Sequence, residues 1–332
     1  MTDRGKTIVT ALFNPAAALA AFVALAVATA NAQTPAAVTW NPSDINRLRD
    51  DTWGGMVRLG RELMAHTSSR IGPEVSDVSK RYAGNNLDCQ SCHLKDGVKQ
   101  FGLPYVGVYA DFPQYRSREG EVGTIEDRIN GCMTRSMNGR ALPLDSVEMK
   151  AMVAYIKFLS QGVPVGAPTR GRGSGAMNEL DRAADPGRGK QVFAQVCAQC
   201  HGADGQGKRH GMPGDAKGYE FPPLWGADSF NDGAGMDRLI AGANFVHSNM
   251  PYGVTFENPL LSVEDAWDVM AYVQSMPRPH KANLDKDFPV RAQKPVDAGY
   301  GPYIDGFDQK QHRLGPFAPI RAAVKSIAEG KK

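Results

Sequence analysis

A chain of 332 residues with 42% hydrophobic, 8% aromatic and 22% charged residues has the composition of a globular protein of about two domains, and this composition excludes a disordered chain. The formal net charge of +3 is too small for a basic nucleic-acid-binding surface, so we expect no nucleic-acid partner. The chain has five cysteines, and four of them form two closely spaced pairs that need a chemical explanation.

Residues 1–32 have the features of a secretory signal peptide. Arg4 and Lys6 provide a positive start, an apolar run rich in Ala, Val and Leu follows, and Ala30-Asn31-Ala32 has the pattern of a cleavage site. The alternative is an uncleaved anchor, but the apolar run is shorter than the roughly 20 residues that a membrane span needs. The sequence therefore predicts a periplasmic protein without stable membrane insertion.

The first predicted domain, residues 33–165, places a helical stretch around Gly60 before the motif Cys89-Gln90-Ser91-Cys92-His93. This C-x-x-C-H pattern is the attachment signal of haem c, because its two thiols reach the two vinyl groups of one porphyrin and its histidine supplies the proximal iron ligand. A later helix is expected to begin at Asp145-Ser146-Val147-Glu148, which has the pattern of a capping box, and to run through Tyr155.

The loop between these elements contains Cys132, the cysteine that belongs to neither pair. A free thiol is a liability in an oxidising compartment unless it is used, and bound to iron it would be a thiolate that lowers the haem potential. Arg128 and Arg135 lie near it in sequence and favour a thiolate. The residues alone leave two alternatives open: an inert buried Cys132, or Met133 or Met137 as the iron ligand.

Residues 166–184, rich in Gly and Pro, are predicted to be a linker, and residues 185–280 are predicted to repeat the plan of the first domain. Asp185-Pro186-Gly187 begins a helix that leads into Cys197-Ala198-Gln199-Cys200-His201. A further helix is expected from Ser262, again with an acid three residues after the cap.

Two such motifs favour two covalently bound haem c groups over zinc or disulfides. A four-ligand zinc site would need both cysteine pairs to meet across domains and would leave His93 and His201 unexplained, and a disulfide within each pair would not need the histidine that follows. The predicted fold class is all-α: two tandem class I cytochrome c domains with an irregular C-terminal strap, residues 281–332.

The second iron also needs a sixth ligand, for which the sequence predicts Met250 in the loop Asn249-Met250-Pro251. Methionine ligation raises the potential of a haem and suits electron transfer. Met250 competes with three other methionines and one histidine of this domain: Met212, Met236, Met270 and His247.

In combination, several motifs resemble those of the di-haem thiosulfate dehydrogenases: Arg81-Tyr82-Ala83-Gly84-Asn85-Asn86-Leu87, Arg135-Ser136-Met137-Asn138-Gly139 after Cys132, Asn249-Met250-Pro251, and Gly301-Pro302-Tyr303. The resemblance implies that two thiosulfate ions are coupled to tetrathionate and that two electrons leave through the haems. It implies His93 and Cys132 as ligands of the active-site haem, with Arg118, Arg128 and Ser136 as catalytic residues. It also implies a soluble periplasmic acceptor, such as a cytochrome c or a high-potential iron–sulfur protein.

The chemistry of thiosulfate agrees with the resemblance, because the guanidinium groups of arginines bind its oxygens and screen the repulsion between two dianions. The plainer interpretation is that Arg118 and Arg128 are solvated surface residues and that Ser136 caps a turn. Other functional classes also fit the two haem motifs: a non-catalytic electron carrier, a cytochrome subunit of a sulfur-oxidation or dehydrogenase complex, and, with no signalling domain to support it, a haem-based sensor.

Overall fold

The computed structural model describes Met1 and residues 38–330, so the predicted signal peptide after Met1 lies outside the described residues. The described residues from 38 onward belong to one compact unit, in which both C-x-x-C-H motifs lie. No helix in this part of the chain is long and apolar enough to cross a membrane. The boundaries at 165, 184 and 280 stay predictions from the sequence.

The first domain is built on two long helices, α1 (Thr52–Ala65) and α5 (Val147–Leu159), which cross at Gly60. A Cβ atom at Gly60 would lie 2.0 Å from the carbonyl oxygen of Ala151, so the helices can approach this closely only because Gly60 has no side chain. Between them lie three shorter helices: α2 (Thr67–Ile71), α3 (Leu94–Gly97) and α4 (Ile125–Met133).

The second domain repeats this crossing with α6 (Pro186–Val192) and α9 (Val263–Ser275). A Cβ atom at Gly189 would lie 1.8 Å from the carbonyl oxygen of Asp268, as at Gly60 in the first domain. A π-helical turn, Phe193–Cys197, joins α6 to α7 (Ala198–His201), and α8 (Leu239–Asn249) precedes α9. The predicted repeat of helix, haem motif, loop and helix is therefore present in the structure.

The helix starts agree with the sequence except at α5. Asp185 caps α6 by accepting from the backbone N–H groups of Gly187 and Arg188, as predicted. Ser262 caps α9 by accepting from the backbone N–H of Asp265. At α5, however, the capping oxygen belongs to Ser146, one residue later than the capping-box pattern placed it. A serine next to the predicted cap competes for the same position, because short side chains of both types accept equally well there.

The described residues contain four short strands, which form two antiparallel hairpins among the helices and loops. β1 (Gln114–Arg116) pairs with β2 (Glu121–Gly123) in the register Tyr115 to Val122, and Arg118 lies in the turn between them. β3 (Lys208–Arg209) pairs with β4 (Tyr219–Phe221) in the second domain. The first hairpin matters for the site below because it fixes the position of Arg118.

The middle of the predicted linker is hydrogen-bonded to both domains. The carbonyl oxygens of Gly171 and Gly173 accept from the backbone N–H groups of Phe101 (2.6 Å) and Leu103 (3.0 Å) in the first domain. The hydroxyl of Ser248 in the second domain donates to the carbonyl oxygen of the linker residue 174 at 2.7 Å. The linker therefore belongs to the contact between the domains.

The strap contains two helices, α10 (Gln309–Leu314) and α11 (Ala318–Ala328). The sequence predicted a helix only from about Pro319, so α10 is an addition. Phe317 and Ile320 are fully buried in the core of the second domain, whereas Phe288, earlier in the strap, donates its backbone N–H to the carbonyl oxygen of Arg118 at 2.7 Å. The strap thus packs against both domains, as predicted.

Candidate active site

One cavity of the first domain contains most of the residues that the sequence singled out. Its wall is mainly apolar and includes Leu87, Ile129, Met152 and Ile156. The chemical groups in the same wall are Cys89, Cys92, His93, Arg128, Cys132 and Ser136, together with Met133 and Met137. The second domain contributes Phe230 and Met236, so the cavity lies at the junction of the domains.

His93 is oriented as a histidine ligand needs to be. Its Nδ1–H donates to the carbonyl oxygen of Leu103 at 2.5 Å, and its ring stacks on Tyr105 with a centroid distance of 4.4 Å. A hydrogen bond from Nδ1 to a carbonyl selects the tautomer that leaves Nε2 free to bind a metal. The apolar wall and the two thiols beside this ring fit a covalently attached porphyrin.

His201 of the second motif has the same arrangement. Its Nδ1–H donates to the carbonyl oxygen of Pro222 at 2.8 Å, and Phe221 lies edge-on at 6.4 Å. Burial lowers the pKa of His201, which keeps the ring neutral and able to ligate.

The alternatives to haem find no support in the described part of the chain. All five cysteines lie in that part and none forms a disulfide. The described residues contain no group of three or more His, Cys, Asp or Glu side chains placed to hold a metal ion. The two motifs are therefore available for haem attachment.

Cys132 differs in acidity from the other two thiols of its cavity. It lies near the end of α4, where Arg128, one turn earlier, donates from Nη1 to its Sγ at 3.3 Å. Burial raises the pKa of the Cys132 thiol, but the charge of Arg128, a hydrogen bond with His93 and the charge of Arg118 outweigh it and lower the pKa to about 6. Burial instead raises the pKa of Cys89 and Cys92 to about 12.

The contact between Cys132 and His93 brings together the two predicted ligands of the first iron. Met133 and Met137, the alternative ligands, line the same cavity and are almost fully buried among apolar residues. The arginine bonded to the Cys132 sulfur distinguishes that residue from both methionines, because a cationic donor stabilises a thiolate.

Arg118 does not line this cavity, but from the turn between β1 and β2 it lies within electrostatic range of Cys132. Its guanidinium lies 5.6 Å from the centre of the Phe288 ring, and its Nη1 donates a long bond of 3.4 Å to the carbonyl oxygen of Gly233. In the described residues it forms no ion pair with a carboxylate, and burial, followed by the charge of Arg135, lowers its pKa. Arg118 is therefore not the solvated surface residue of the plainer interpretation, whereas Arg128 is exposed.

Ser136 is half-buried in the cavity wall. Its carbonyl oxygen accepts from the Asn85 side-chain amide at 2.9 Å, and the same amide bonds the carbonyl of Ser229 in the second domain at 3.2 Å. Asn85 therefore anchors this turn to the second domain.

Comparison with known proteins matches each domain to a family. Residues 79–165 match the SoxA/TsdA cytochrome c domain, and residues 187–277 match the cytochrome c domain. The thiosulfate dehydrogenase of Allochromatium vinosum is 40% identical over 255 residues, which cover 75% of this chain and 88% of that protein. The chain belongs to the thiosulfate dehydrogenase family.

Other members of the thiosulfate dehydrogenase family agree. The enzyme of Psychrobacter arcticus is 39% identical over 248 residues, which cover 74% of this chain and 70% of that protein. The solved thiosulfate dehydrogenase TsdBA of Marichromatium purpuratum, in its as-isolated form, superposes with a TM-score of 0.67 at 30% identity. That match covers 84% of this chain, which spans 54% of the solved one. The predicted family and the fold of two cytochrome c domains are thus confirmed, and the chain carries two covalently bound haem c groups.

For this member of the thiosulfate dehydrogenase family, the structure narrows the choice of the second iron's sixth ligand. Met212 is 74% exposed, Met236 lines the first cavity instead, and Met270 packs inside the domain against Gly242 of α8. Met250 is half-buried at the end of α8, and its neighbour Asn249 donates to the carbonyl oxygen of Phe101 in the first domain at 2.8 Å. Met250 remains the prediction, and His247, whose buried Nδ1 has no hydrogen-bond partner in the described residues, remains its competitor.

Sequence reasoning missed the residues that the strap adds to this site of the thiosulfate dehydrogenase family. Asp287 accepts from Arg135 at 2.7 Å, and both side chains are only 10% exposed. Tyr300 donates its hydroxyl to the same carboxylate at 2.6 Å. Asp287 could not be recognised from the sequence, because an acidic residue in a run rich in Pro and Gly belongs to no motif. Nothing in the sequence links it to Arg135, which is distant along the chain.

Proposed function

We propose that this chain is a periplasmic enzyme that couples two thiosulfate ions to tetrathionate and passes two electrons through its haems to a soluble acceptor. A cytochrome c or a high-potential iron–sulfur protein is the kind of acceptor that suits it. The observation that carries the proposal is the Cys132 thiol, which shares one cavity with Cys89, Cys92 and His93 and accepts a hydrogen bond from Arg128 at 3.3 Å. An electron carrier with two His/Met haems has no use for such a thiol.

We assign His93 and Cys132 as the ligands of the first iron, and His201 and Met250 as those of the second. Cys89 and Cys92 attach the first haem, and Cys197 and Cys200 the second. A thiolate ligand lowers the potential of a haem and a methionine raises it, so this assignment puts the lower potential in the first domain and favours electron transfer toward the second.

Arg118 and Arg128 supply the positive charge for the substrate. Thiosulfate is a dianion whose oxygens suit bidentate hydrogen bonds from guanidinium groups. Arg118 is half-buried without a carboxylate partner in the described residues, which is unfavourable for a cation unless an anion binds there. Ser136 stands in the same cavity wall and has a hydroxyl to offer to a substrate oxygen.

A route through Cys132 balances the reaction. The thiolate of Cys132 and the terminal sulfur of one thiosulfate form a sulfur–sulfur bond and release two electrons. The terminal sulfur of the second thiosulfate then attacks the sulfur bonded to Cys132, so tetrathionate leaves and the thiolate returns, as in thiol–disulfide exchange. No proton is gained or lost. When bound, the two haems supply the two one-electron acceptors that this oxidation needs.

The test is the reduction of the oxidised holoprotein by thiosulfate alone, followed by haem absorption without oxygen. We expect the wild type to be reduced and Cys132→Ala to lose this reduction, because the thiol is the group on which the sulfur–sulfur bond forms. Met137→Leu, a change in the same cavity wall, is the matched control and should keep the activity. Reduction of Cys132→Ala at the wild-type rate would remove the catalytic role and leave a two-haem electron carrier.

A further inference from the structure

Three cationic side chains from different parts of the chain gather around Gly233. Nη1 of Arg118 and Nη1 of Arg135 both donate to the Gly233 carbonyl oxygen, at 3.4 and 3.2 Å. The stem of Lys281, the first residue of the strap, packs against the same glycine, where a Cβ atom would lie 2.9 Å from its Cδ and 2.7 Å from Nη1 of Arg135. The first domain, the second domain and the strap therefore meet at this point.

The charges of this cluster do not cancel. Two carboxylates lie beside it: the oxygens of Asp287 are occupied by Arg135 and Tyr300, and those of Asp232 by the His280 ring and the backbone N–H of Lys281. Within the described residues neither Arg118 nor the ammonium group of Lys281 forms an ion pair. Burial, followed by the charge of Arg135, lowers the pKa of both Arg118 and Lys281. Two half-buried cations without a carboxylate partner in the described residues lose part of their hydration, and a bound anion would compensate for that loss.

The cluster adjoins the Cys132 site through Arg118. The charge of Arg118 is one of those that lower the pKa of Cys132, so its guanidinium lies within electrostatic range of the sulfur. Arg128, which bonds that sulfur directly, comes from α4 and is not a member of the cluster. Two separate groups of positive charge thus flank the thiol.

We propose that Arg118 and Lys281, with Arg135 held in place by Asp287, form a second anion subsite that binds the oxygens of the second thiosulfate. The proposal rests on the proposed function and deepens it. The first thiosulfate is held by Arg128 beside Cys132, and the second approaches from the Lys281 side. Joining two thiosulfate dianions forms one sulfur–sulfur bond and releases two electrons to the haems. The product has an anionic group at each end, so an enzyme that makes it needs two positively charged subsites. Arg135 is a positioning residue, because its two terminal guanidinium nitrogens already donate to Gly233 and Asp287.

Tetrathionate is the probe for this subsite, because it carries an anionic group at each end and cannot be oxidised further by the same reaction. Calorimetric titration of the oxidised holoprotein should show Lys281→Gln binding tetrathionate roughly tenfold more weakly than the wild type, the size expected for one lost charged hydrogen bond. In steady-state assays, KM for thiosulfate should rise more than kcat falls. Lys281→Arg should restore both, because it keeps the charge.

The matched control is Lys286→Gln, which removes the same charge from an exposed lysine of the strap. We expect Lys286→Gln to bind tetrathionate with the same affinity as the wild type. Lys281→Met is a second neutral variant that keeps the length of the side chain and its contact with Gly233, and its melting temperature should match the wild type. If Lys281→Gln and Lys281→Met bind tetrathionate as tightly as the wild type, or if Lys286→Gln weakens binding equally, the subsite is disproved.

Failure of the subsite is distinguishable from failure of the proposed function. If thiosulfate does not reduce the wild-type haems, the proposed function fails, whatever the tetrathionate titration gives. If thiosulfate reduces the wild type and Lys281→Gln with the same KM, the enzyme stands and the subsite falls.

Discussion

Arg118 and Arg128 approach Cys132 from different elements and offer different chemistry. Arg128 is exposed on α4 and bonds the sulfur directly, whereas Arg118 is half-buried in a hairpin turn and bonds only a carbonyl oxygen. Because Arg128 is exposed, its guanidinium can turn from the sulfur toward an incoming anion and bind two of its oxygens. We therefore expect Arg128 to depend on its guanidinium shape as well as on its charge.

Arg128→Lys tests this dependence. Lysine keeps the positive charge near the sulfur but cannot make two parallel hydrogen bonds to one oxyanion. We expect kcat/KM for thiosulfate to fall roughly tenfold, the value of one lost charged hydrogen bond. Arg70→Lys, an exposed arginine of α2 paired with Glu62, is the control and should not change it. Unchanged kcat/KM in Arg128→Lys would mean that only the charge at this position matters.

The sequence best predicted the residues whose functional partners lie close to them along the chain. The C-x-x-C-H motifs were recognisable because both thiols and the histidine of one haem lie within five positions. The role of Cys132 as an iron ligand was ambiguous from the residues alone, since a single cysteine has no motif with a characteristic spacing. Asp287 and Lys281 were not predicted, because their partners Arg135 and Gly233 are distant in the chain and only tertiary structure brings them together.

At the scale of elements, each domain depends on one helix crossing that requires a glycine. Gly60 meets the backbone of α5 and Gly189 meets the backbone of α9 with no room for a side chain. The sequence predicted the helices from their caps and apolar residues, and it placed Gly60 within a helix. It could not predict that Gly60 lies at the contact, because glycine within a helix looks unfavourable until its neighbour is known.

Gly60→Ala tests the first crossing. The added Cβ would lie 2.0 Å from the Ala151 carbonyl oxygen, so the helices must separate, and we expect the free energy of unfolding to fall by about 1–3 kcal/mol. Gly55→Ala in the same helix is the control, because nothing lies within 4 Å of its Cβ position. Gly55→Ala should raise the free energy of unfolding by up to about 1 kcal/mol, because alanine has a higher helix propensity than glycine. Denaturant unfolding of the two holoproteins measures both, and equal effects would refute the close crossing.

At the scale of the whole molecule, polar contacts hold both domains and the strap in one unit. Arg209 of the second domain pairs with Glu74 of the first at 2.9 Å, and Asp228 accepts from the backbone N–H of Asn86 at 2.9 Å. Together with the ion pair between Arg135 and Asp287, these contacts fix the second domain and the strap against the cavity that contains Cys132. The strap therefore supports Arg118 and Arg135 next to this cavity.

Asp287→Asn tests the strap's contribution. It leaves the buried Arg135 guanidinium without its charged partner, and breaking a buried pair in this way costs on the order of 3 kcal/mol of folding free energy. We expect a lower melting temperature of the holoprotein. Asp285→Asn changes an exposed acid of the 3₁₀ turn Leu284–Lys286, which ends just before Asp287, and should leave the melting temperature unchanged. A stable Asp287→Asn protein would show that Tyr300 and the surrounding backbone hold the strap without this ion pair.

Electron spin resonance of the oxidised holoprotein tests most directly whether the sulfur of Cys132 binds the first iron. We expect two low-spin ferric signals, one of the histidine–thiolate type and one of the histidine–methionine type, and the first should disappear in Cys132→Ala while the second remains. Two histidine–methionine signals in the wild type, or a spectrum that Cys132→Ala does not change, would contradict the assignment.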